Sequence, residues 1–459
     1  MKVLVIDIGS SFLKAAVLDM DAALVLEERK TAAPEKIKYD DPLLFEIPAA
    51  FYLDFVRSLL DRYAARYEDL CGVMLSTQMH GFVYSVPGRS DVYVSWQDMR
   101  CLHRYRGGEG DYMARLRGLF PREDMADCGV YIKPALGMAN LYTLLDEDPA
   151  IPRNGTLYTI GSYIIAGLTG RNVCHPTNAG PLGLLNVRER KWDRRVIERL
   201  GFGAMTFPEL SDGDFACCGV YRTAGRGIGV YPDYGDQQVS VVGSLPRSGD
   251  GLINIATASQ VGRITDRFVP GNYEVRPYFG GEYLNTISNM PAGRGLDVLV
   301  NFLRGAIARI TGRQVGIPEV WNGIASGFVQ DPRGLGVDMT FYATAEKPDG
   351  GCIRGIHQNN LDLDTLFSAA FQDMADTYRD NLLTLSGGKE LGSVVCSGGV
   401  SWNRPELVRV IEKTLGCPCR LSALKDEAMS GLYRLALCCM GICSGLYEKP
   451  QLLLRMKAQ

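Results

Sequence analysis

Asp236 is the side chain of this sequence whose neighbours best suit it to act as a general base. It follows a glycine and precedes two amides in the run Gly235–Gln238, and an apolar stretch comes next. A carboxylate in this setting suits a strand end or loop that opens onto a cleft, where it can accept a proton from a bound hydroxyl group. The same residues are also typical of an Asx turn or a helix N-cap, and the motif alone leaves that alternative open.

A turn near the amino terminus has the composition of a phosphate-binding loop. The apolar run Lys2–Ile6 leads into Asp7–Ser11, after which apolar residues resume around Lys14. The pattern predicts strand, tight turn, strand. Gly9 would let the backbone approach a phosphate closely, and Asp7 could hold Mg²⁺ directly or through water. A plain β-hairpin without chemistry explains the same residues.

A second opening of this kind follows about half a chain later. In Leu252–Val261 an apolar strand runs into small hydroxyl residues, among them Thr257 and Ser259. The spacing is far too long for a solenoid repeat and instead predicts two similar lobes that hold a nucleotide between them. The two hydroxyl residues would equally suit an ordinary strand end.

A cluster of polar and aromatic residues between these turns could bind a polyhydroxylated ligand. It comprises the turn Gln78–Gly81 and, after a strand-like segment, Trp96–Arg100. Polar side chains there would bond hydroxyl groups while the indole covers an apolar face. Two plainer interpretations compete with this one: the imidazole as a core histidine, and Asp98 with Arg100 as a surface ion pair of little energetic value.

Strands and helices must bring these segments together, and the hydrophobic pattern predicts them in two lobes. In an amphipathic helix near 46–67, Phe51, Phe55 and Leu59 share a face. Loop-forming residues at 244–251 mark the boundary between the lobes. The other predicted elements are strands at 2–7, 12–18, 23–28 and 73–76, a helix near 363–386, and a strand-turn-helix at 392–415.

Length and charge fit a two-domain enzyme that does not attract polyanions. The chain has 459 residues, too many for one ordinary core, and 46% of them are apolar. With 49 Lys and Arg against 52 Asp and Glu, it has no basic field for nucleic acid or anionic lipid. The 13 cysteines form no Cys-x-x-Cys pair, which favours reduced core residues in a cytoplasmic protein. The apolar segment 435–443 falls well short of a membrane span and predicts a buried helix.

Taken together in chain order, these motifs resemble those of the FGGY carbohydrate kinases, a family of the actin-like ATPase superfamily. No single motif is specific, whereas their ordered combination along nearly the whole chain is. The matching segments are Asp7–Ser11, Gln78–Gly81, Trp96–Arg100, Leu168–Gly170, Gly235–Gln238, Thr257–Ser259 and Ser397–Asn403.

The resemblance implies an α/β fold of two ribonuclease-H-like (actin-like ATPase) domains with mixed sheets flanked by helices and an interdomain cleft. Residues 1–246 would form the N-terminal domain, on the sugar and phosphate side, and 247–459 the C-terminal domain, on the nucleotide side. ATP and Mg²⁺ would be the cofactors and a small-molecule sugar the other partner, with no nucleic acid or membrane partner. A homodimer is one open outcome for the oligomeric state.

The resemblance also implies roles for individual residues. Asp236 would take the proton from the attacking sugar hydroxyl, and Asp7 would help to place Mg²⁺. The β- and γ-phosphates would be surrounded by Ser10, Ser11, Lys14 and Thr257. The sugar would contact Gln78, Met79, His80, Trp96, Asp98 and Asp236. The adenosine would lie against Gly398, Gly399 and Asn403.

The implied activity is transfer of the γ-phosphoryl group of ATP to a hydroxyl group of a ketose or related polyol. Three segments, His175–Ala179, Asn254–Gln260 and Val275–Phe279, look most like those of sedoheptulokinases. Xylulokinase, ribulokinase and gluconokinase specificities are alternatives, and so is a catalytically weak sugar-binding paralogue. An ATPase or chaperone-like relative is a further alternative, although it would not need the sugar-side residues.

The sequence departs from the family pattern at three places. Ala256 stands where most relatives have glycine, and Ala292–Arg294 replaces an expected glycine pair. A methyl group at either place could shift the backbone or crowd the nucleotide. The tryptophan-containing segment typical of the family is not found around Lys133–Leu145. These departures bear on substrate identity and catalytic rate.

Overall fold

The computed structural model of the protein describes residues 1–341, 349–389 and 391–452. The chain forms two compact units. Unit 1 comprises Met1–Leu245, Thr265–Leu284 and the chain from Asp426 onward, and unit 2 comprises Pro246–Ile264 and Asn285–Lys425. Unit 1 thus includes two segments from the part of the chain that the sequence analysis places in the C-terminal domain 247–459.

The described residues form strands of two to ten residues, which are distributed over the two units. They are β1 (Lys2–Ile8), β2 (Phe12–Asp19), β3 (Leu24–Ala32), β4 (Glu46–Pro48), β5 (Leu70–Thr77), β6 (Phe82–Ser85), β7 (Val92–Val94), β8 (Thr156–Tyr158), β9 (Val173–Cys174), β10 (Leu185–Asn186), β11 (Lys191–Trp192), β12 (Glu209–Leu210), β13 (Gly219–Thr223), β14 (Arg226–Gly235), β15 (Gly251–Ile255), β16 (Ser259–Thr265), β17 (Glu274–Pro277), β18 (Tyr283–Met290), β19 (Gly336–Val337), β20 (Ile353–Arg354), β21 (Val394–Ser397) and β22 (Cys419–Leu421).

The α-helices alternate with these strands. They are α1 (Ala49–Arg66), α2 (Tyr112–Leu119), α3 (Gly137–Glu147), α4 (Ile160–Thr169), α5 (Pro176–Ala179), α6 (Arg194–Arg199), α7 (Asp236–Gly243), α8 (Gly293–Thr311), α9 (Ile317–Gly327), α10 (Leu363–Leu385), α11 (Gly399–Asn403), α12 (Pro405–Leu415) and α13 (Glu427–Cys439).

A six-stranded mixed sheet forms the centre of unit 1, in the order β13-β14-β5-β1-β2-β3. β1 pairs antiparallel with β2 and parallel with β5, and β14 pairs parallel with β5 on its other side. From Val3 to Ile8, β1 is buried on both faces, as expected of a central strand rich in branched apolar residues. The strands predicted at 2–7, 12–18, 23–28 and 73–76 are confirmed.

Helices α1 and α4 pack against this sheet and share its apolar core. In α1, the side chains of Tyr52, Val56 and Leu59 recur at helical spacing and are buried. The helix predicted near 46–67 is thus confirmed. Of its predicted apolar face, Leu59 is buried and Phe55 packs against the core, whereas the prediction for Phe51 is wrong, because that side chain is 41% exposed. Tyr52 belongs to the buried face instead, and its ring makes an edge-to-face contact with that of Tyr93 in β7.

Helices α7 and α13 approach each other so closely that the contact requires glycine. A Cβ atom added to Gly243 would lie 1.9 Å from the carbonyl oxygen of Glu427, and one added to Gly431 would lie 1.9 Å from that of Val239. The predicted buried helix is confirmed, since α13 includes part of the apolar segment 435–443 and is buried along most of its length. Among the described helices, none combines the length with the apolar character that a membrane crossing requires.

Unit 2 repeats the plan of unit 1 around its own mixed sheet, in which β16, β15, β21 and β22 are neighbours. β15 pairs antiparallel with β16 and parallel with β21, just as β1 pairs with β2 and β5. This repetition confirms the predicted duplication. The helix predicted near 363–386 is α10, and the strand-turn-helix predicted at 392–415 is β21 followed by α11 and α12.

We expect Gly431→Ala to lower the free energy of unfolding by roughly 1–3 kcal/mol, because the added methyl group must displace the backbone of α7. Urea denaturation followed by tryptophan fluorescence measures the change. Gly118→Ala is the matched control, since a Cβ atom at that position meets no atom within 4 Å. Equal unfolding free energies of the two variants would contradict this prediction and show that α7 and α13 can move apart at little cost.

Candidate active site

Three parallel strands of unit 1 end at one level, and several of the predicted site residues lie at that edge of the sheet. The last residues of β1 and β14 are both register partners of Thr77 in β5. Asp7 lies near the end of β1, the turn Gln78–Gly81 follows β5, and Asp236 is the residue after β14. All three are therefore at this edge. The carboxyl ends of parallel strands are a common location for ligand sites in α/β proteins.

Asp236 is the first residue of α7, and Gly235 is its N-cap. One carboxylate oxygen accepts a hydrogen bond from the backbone N–H of Gln237 at 2.8 Å. The interpretation of Asp236 as a helix N-cap is wrong, because no described side chain caps the start of α7. The pKa of Asp236 is raised to about 7, mainly by burial and then by the negative charge of Asp7, against the opposing charge of Arg276. A carboxylate that titrates near neutrality is suited to general-base work.

The segment His175–Ala179 fixes the strand that ends immediately before Asp236. The hydroxyl group of Thr177 accepts a hydrogen bond from the backbone N–H of Gly235 at 3.0 Å. Two residues earlier in β14, the carboxylate of Asp233 accepts one from the backbone N–H at the start of the segment at 2.7 Å. Burial raises the pKa of Asp233 to about 7, although its hydrogen bonds oppose the shift. These contacts are fully buried and serve to hold the strand end in place.

Asp7 is only 5% exposed at the end of β1. Ser76 donates a hydrogen bond to its carboxylate at 2.9 Å, and the ammonium group of Lys14 lies 4.0 Å from it and 3.0 Å from Asp426. Burial, with a smaller effect of Asp426, raises the pKa of Asp7 to about 6, although Lys14 and Ser76 lower it. A divalent cation would relieve the repulsion between Asp7 and Asp236, so this donor set fits Mg²⁺.

A cation at Asp7 would depend on ligands beyond the protein. Across 1–341, 349–389 and 391–452, no group of three or more His, Cys, Asp or Glu side chains is arranged to hold a metal ion. Mg²⁺ commonly uses one or two carboxylates and completes its shell with water and phosphate oxygens. The carboxylates at this edge suit that mode of binding.

The turn between β1 and β2 is tight and open to solvent. Gly9 donates a backbone hydrogen bond to Phe12 at 3.1 Å, and a Cβ atom on the glycine would lie 2.8 Å from the same carbonyl oxygen. The predicted strand-turn-strand is therefore confirmed, and glycine is needed for its closure. Ser10 and Ser11 are exposed, as contact with a phosphate would require.

The turn Gln78–Gly81 is held to the sheet by its backbone. Gln78 donates to the carbonyl oxygen of Ile8 at 3.2 Å, and His80 adopts a positive φ of 68°. A side chain at Gly81 would collide with the ring of Tyr93. Burial and two neighbouring cations hold the pKa of His80 well below its usual value, so the imidazole is neutral and can both donate and accept.

The hairpin of β6 and β7 brings the segment Trp96–Arg100 near the turn Gln78–Gly81. The turn precedes Phe82 in β6, the segment follows Val94 in β7, and these two strand residues are register partners. Trp96 is 37% exposed, which suits a contact with a ligand. The interpretation of Asp98 and Arg100 as a surface pair is wrong, since they are 0% and 3% exposed.

The carboxylate of Asp98 is fully engaged within the protein. It accepts hydrogen bonds from the guanidinium group of Arg100 at 2.8 Å and from the backbone N–H of Phe45 at 2.8 Å. Arg100 also binds Glu46. The predicted contact between Asp98 and the sugar stays a prediction. The observed contacts hold the turn that follows β7 in position.

In unit 2, two turns follow neighbouring strands at one edge of the sheet. Asn254 in β15 and Ser397 in β21 are register partners, and their side chains form a hydrogen bond of 3.0 Å. Gly398 has a φ of 86°, and a Cβ atom there would lie 2.5 Å from the carbonyl oxygen of Ile255. Thr257, Gly398 and Gly399 are thus brought together, and the exposed Asn403 ends the short helix that follows.

Of the two alanine departures, Ala292 is the N-cap of α8, and Ala256 lies in the turn between β15 and β16. Gly293 donates a backbone hydrogen bond to Ala256 at 3.0 Å, and Arg294 donates one to Thr257 at 3.0 Å. Ala292 is fully buried, so its methyl group is accommodated within the unit, whereas Ala256 is exposed. The helix start is therefore joined to the turn that bears Thr257.

The structure adds three residues that the sequence analysis did not assign. Arg276 contacts both His80 and Gln237, and it is bonded to Glu274, which in turn binds Lys133. Glu274 and Arg276 are two apart in β17, so that their side chains share a face. That alternation is the one sequence signal that could have found them.

Comparison with known proteins identifies the family. The sequence profile of the FGGY family of carbohydrate kinases, N-terminal domain, matches residues 2–243, more than half of the chain, and the protein therefore belongs to this family. A glycerol kinase of Rhodopseudomonas palustris is 28% identical over 204 residues, which are 41% of this chain and 38% of that protein. A glycerol kinase of Shewanella piezotolerans is 30% identical over 133 residues, 27% of each chain. The matched stretches thus span well under half the length of these relatives.

Solved structures of the same fold cover nearly the whole chain. A xylulose kinase from Rhodospirillum rubrum aligns with a TM-score of 0.82 at 17% identity, covering 100% of this chain and 98% of that one. Plasmodium falciparum glycerol kinase with ADP gives 0.82 at 16% identity, with coverage of 98% and 92%. A gluconate kinase from Lactobacillus acidophilus gives 0.80 at 15% identity, with coverage of 100% and 96%. These likenesses confirm the predicted fold class.

The unfolding free energy of Asp236→Asn, taken relative to that of the parent protein, should increase as the pH rises. The folded pKa of Asp236, about 7, lies above the value of 3.8 that is usual for this group, so protonation stabilises the fold at low pH and this contribution is lost toward neutrality. Between pH 5 and pH 8 the variant should gain roughly 1–3 kcal/mol in unfolding free energy over the parent. Urea denaturation at both pH values measures this, and the exposed Asp212→Asn should show no such change.

Proposed function

We propose that this protein is an ATP-dependent carbohydrate kinase that transfers the γ-phosphoryl group of ATP to a hydroxyl group of a ketose or related polyol. The observation that carries the proposal is the position of Asp236, a carboxylate with a pKa of about 7 at the sheet edge that also bears Asp7 and the acceptor turn Gln78–Gly81. Membership of the FGGY family of carbohydrate kinases supports it.

Asp236 accepts the proton of the attacking hydroxyl group in this mechanism. It must come within about 3 Å of that oxygen, and a pKa near the working pH balances ionisation against proton affinity. The new bond from the sugar oxygen to phosphorus forms as the bond from phosphorus to the leaving oxygen of ADP breaks, a step governed by alignment and charge. Mg²⁺ would supply positive charge to the phosphate oxygens when bound, and Asp7 would hold it.

Exposed turns supply the proposed nucleotide contacts. In unit 1 these are the backbone and hydroxyl groups of Ser10 and Ser11, at a turn closed by glycine. In unit 2 the exposed Thr257 lies in the turn beside Gly398, whose lack of a side chain leaves bare backbone against which adenosine can lie. Lys14 is ion-paired with Asp426 and would contribute its charge from that position.

The acceptor is proposed to be a ketose, with sedoheptulose as the first candidate because of the segments at 175–179, 254–260 and 275–279. Xylulose, ribulose and gluconate are the alternatives, and a xylulose kinase and a gluconate kinase are among the proteins of the same fold. A catalytically weak sugar-binding paralogue is the second candidate function. Ala256 favours it, because its methyl group adjoins the exposed Thr257.

Asp236→Asn should lower kcat about 10²- to 10⁴-fold, because the general base is lost while the shape of the side chain is kept. The KM for ATP should change little. Measurement is by coupled ADP release on the best acceptor, with Asp212→Asn as the matched surface control. A kcat equal to that of the parent would eliminate Asp236 as the base.

ATP turnover should rise when the correct acceptor is added. A panel of sedoheptulose, xylulose, ribulose, gluconate and glycerol, extended to other three- to seven-carbon sugars and polyols, tests this through ADP release. The kinase proposal fails if no member stimulates turnover. Sugar binding without ADP formation would support the weak paralogue. ATP hydrolysis at a rate independent of the sugar would support an ATPase.

A further inference from the structure

A cluster of buried charged side chains adjoins the acceptor turn. Arg276 donates hydrogen bonds to Glu274 at 3.1 Å and 2.6 Å, and its other amino group donates to the side chain of Gln237, the residue after the general base. The guanidinium group also lies 3.4 Å from Nε2 of His80. Glu274 in turn accepts a hydrogen bond from the ammonium group of Lys133. The cluster therefore links the acceptor turn to the helix that carries the base.

The members of the cluster differ in what they can still bind. Arg276 and Glu274 are 6% and 5% exposed, and both side chains are engaged with each other and with their neighbours. The side chain of Lys133 is 25% exposed. Within the described residues Glu274 is its one hydrogen-bond partner, and an ammonium group has further N–H donors to offer. Lys133 is therefore the member able to meet a ligand.

The charged groups at the acceptor turn and the base carry no excess of positive charge. Lys133 and Arg276 are positive, Glu274, Asp7 and ionised Asp236 are negative, and His80 is neutral. A neutral polyhydroxylated acceptor adds no charge to this site. A carboxylate on the acceptor would bring an unpaired negative charge into a largely buried site, which is costly.

We propose that Lys133 is an acceptor-binding residue whose ammonium group donates hydrogen bonds to sugar hydroxyl oxygens, and that its cluster with Glu274 and Arg276 selects neutral ketoses and polyols over aldonates. This inference rests on the proposed kinase function and names the substrate class of the same site. Glu274 and Arg276 are positioning residues, which act through Lys133, His80 and Gln237.

Steady-state kinetics of Lys133→Met test the proposal, with xylulose, sedoheptulose and glycerol as neutral acceptors and gluconate as the anionic one. The KM for the best neutral acceptor should rise about tenfold to a hundredfold, because charged hydrogen bonds are lost, while kcat changes less than about threefold. The KM for ATP should stay the same. Lys133→Arg keeps a cation with donors and should recover part of the acceptor affinity. The parent enzyme should prefer the neutral acceptor to gluconate by about tenfold or more in kcat/KM.

Lys191→Met is the control, since that lysine is 69% exposed and pairs only with Glu189 among its described neighbours. Should Lys133→Met fail to fold by circular dichroism, Lys133→Gln replaces it with the same expectations. The proposal is overturned if the acceptor KM stays within about twofold of the parent value, or if gluconate is the best acceptor. A parent enzyme without acceptor-dependent ADP release would instead defeat the proposed function itself.

Discussion

The level ending of β1, β5 and β14 is the constraint on which the rest of the site depends. Parallel pairing fixes the register of these strands, and the apolar residues of β1, buried on both faces, keep the pairing in the centre of unit 1. Segments that are far apart in sequence, at Asp7, Gln78 and Asp236, thereby reach one edge. A shift of register by one residue would turn the side chains to the opposite face and separate the two carboxylates.

Burial at this edge has a cost in stability and a benefit in chemistry. It raises the pKa values of Asp7 and Asp236 to about 6 and 7, and the latter value suits the general-base role that we propose for Asp236. Ionised carboxylates in such a place favour unfolding, and the surrounding fold must compensate. The close glycine contacts of Gly243 and Gly431 between α7 and α13 show where the packing is tightest around the helix that starts at Asp236.

The two units show the same strand plan with different chemistry at the ends. In unit 1 the hairpin turn lies beside carboxylates, whereas in unit 2 it lies beside the glycine turn at Gly398 and the start of α8. A shared strand arrangement thus presents different residues at its ends, because the turns that follow the strands differ in sequence.

Local composition and the order of the motifs were enough to predict several strands and helices of both units, the family, and the segments that we propose to supply the site. The sequence did not predict that Tyr52 rather than Phe51 is buried, or that Asp98 and Arg100 are buried together. It also did not reveal the cluster of Lys133 and Arg276. Burial and long-range ion pairing arise only when distant segments meet, so these features were decided by the tertiary structure.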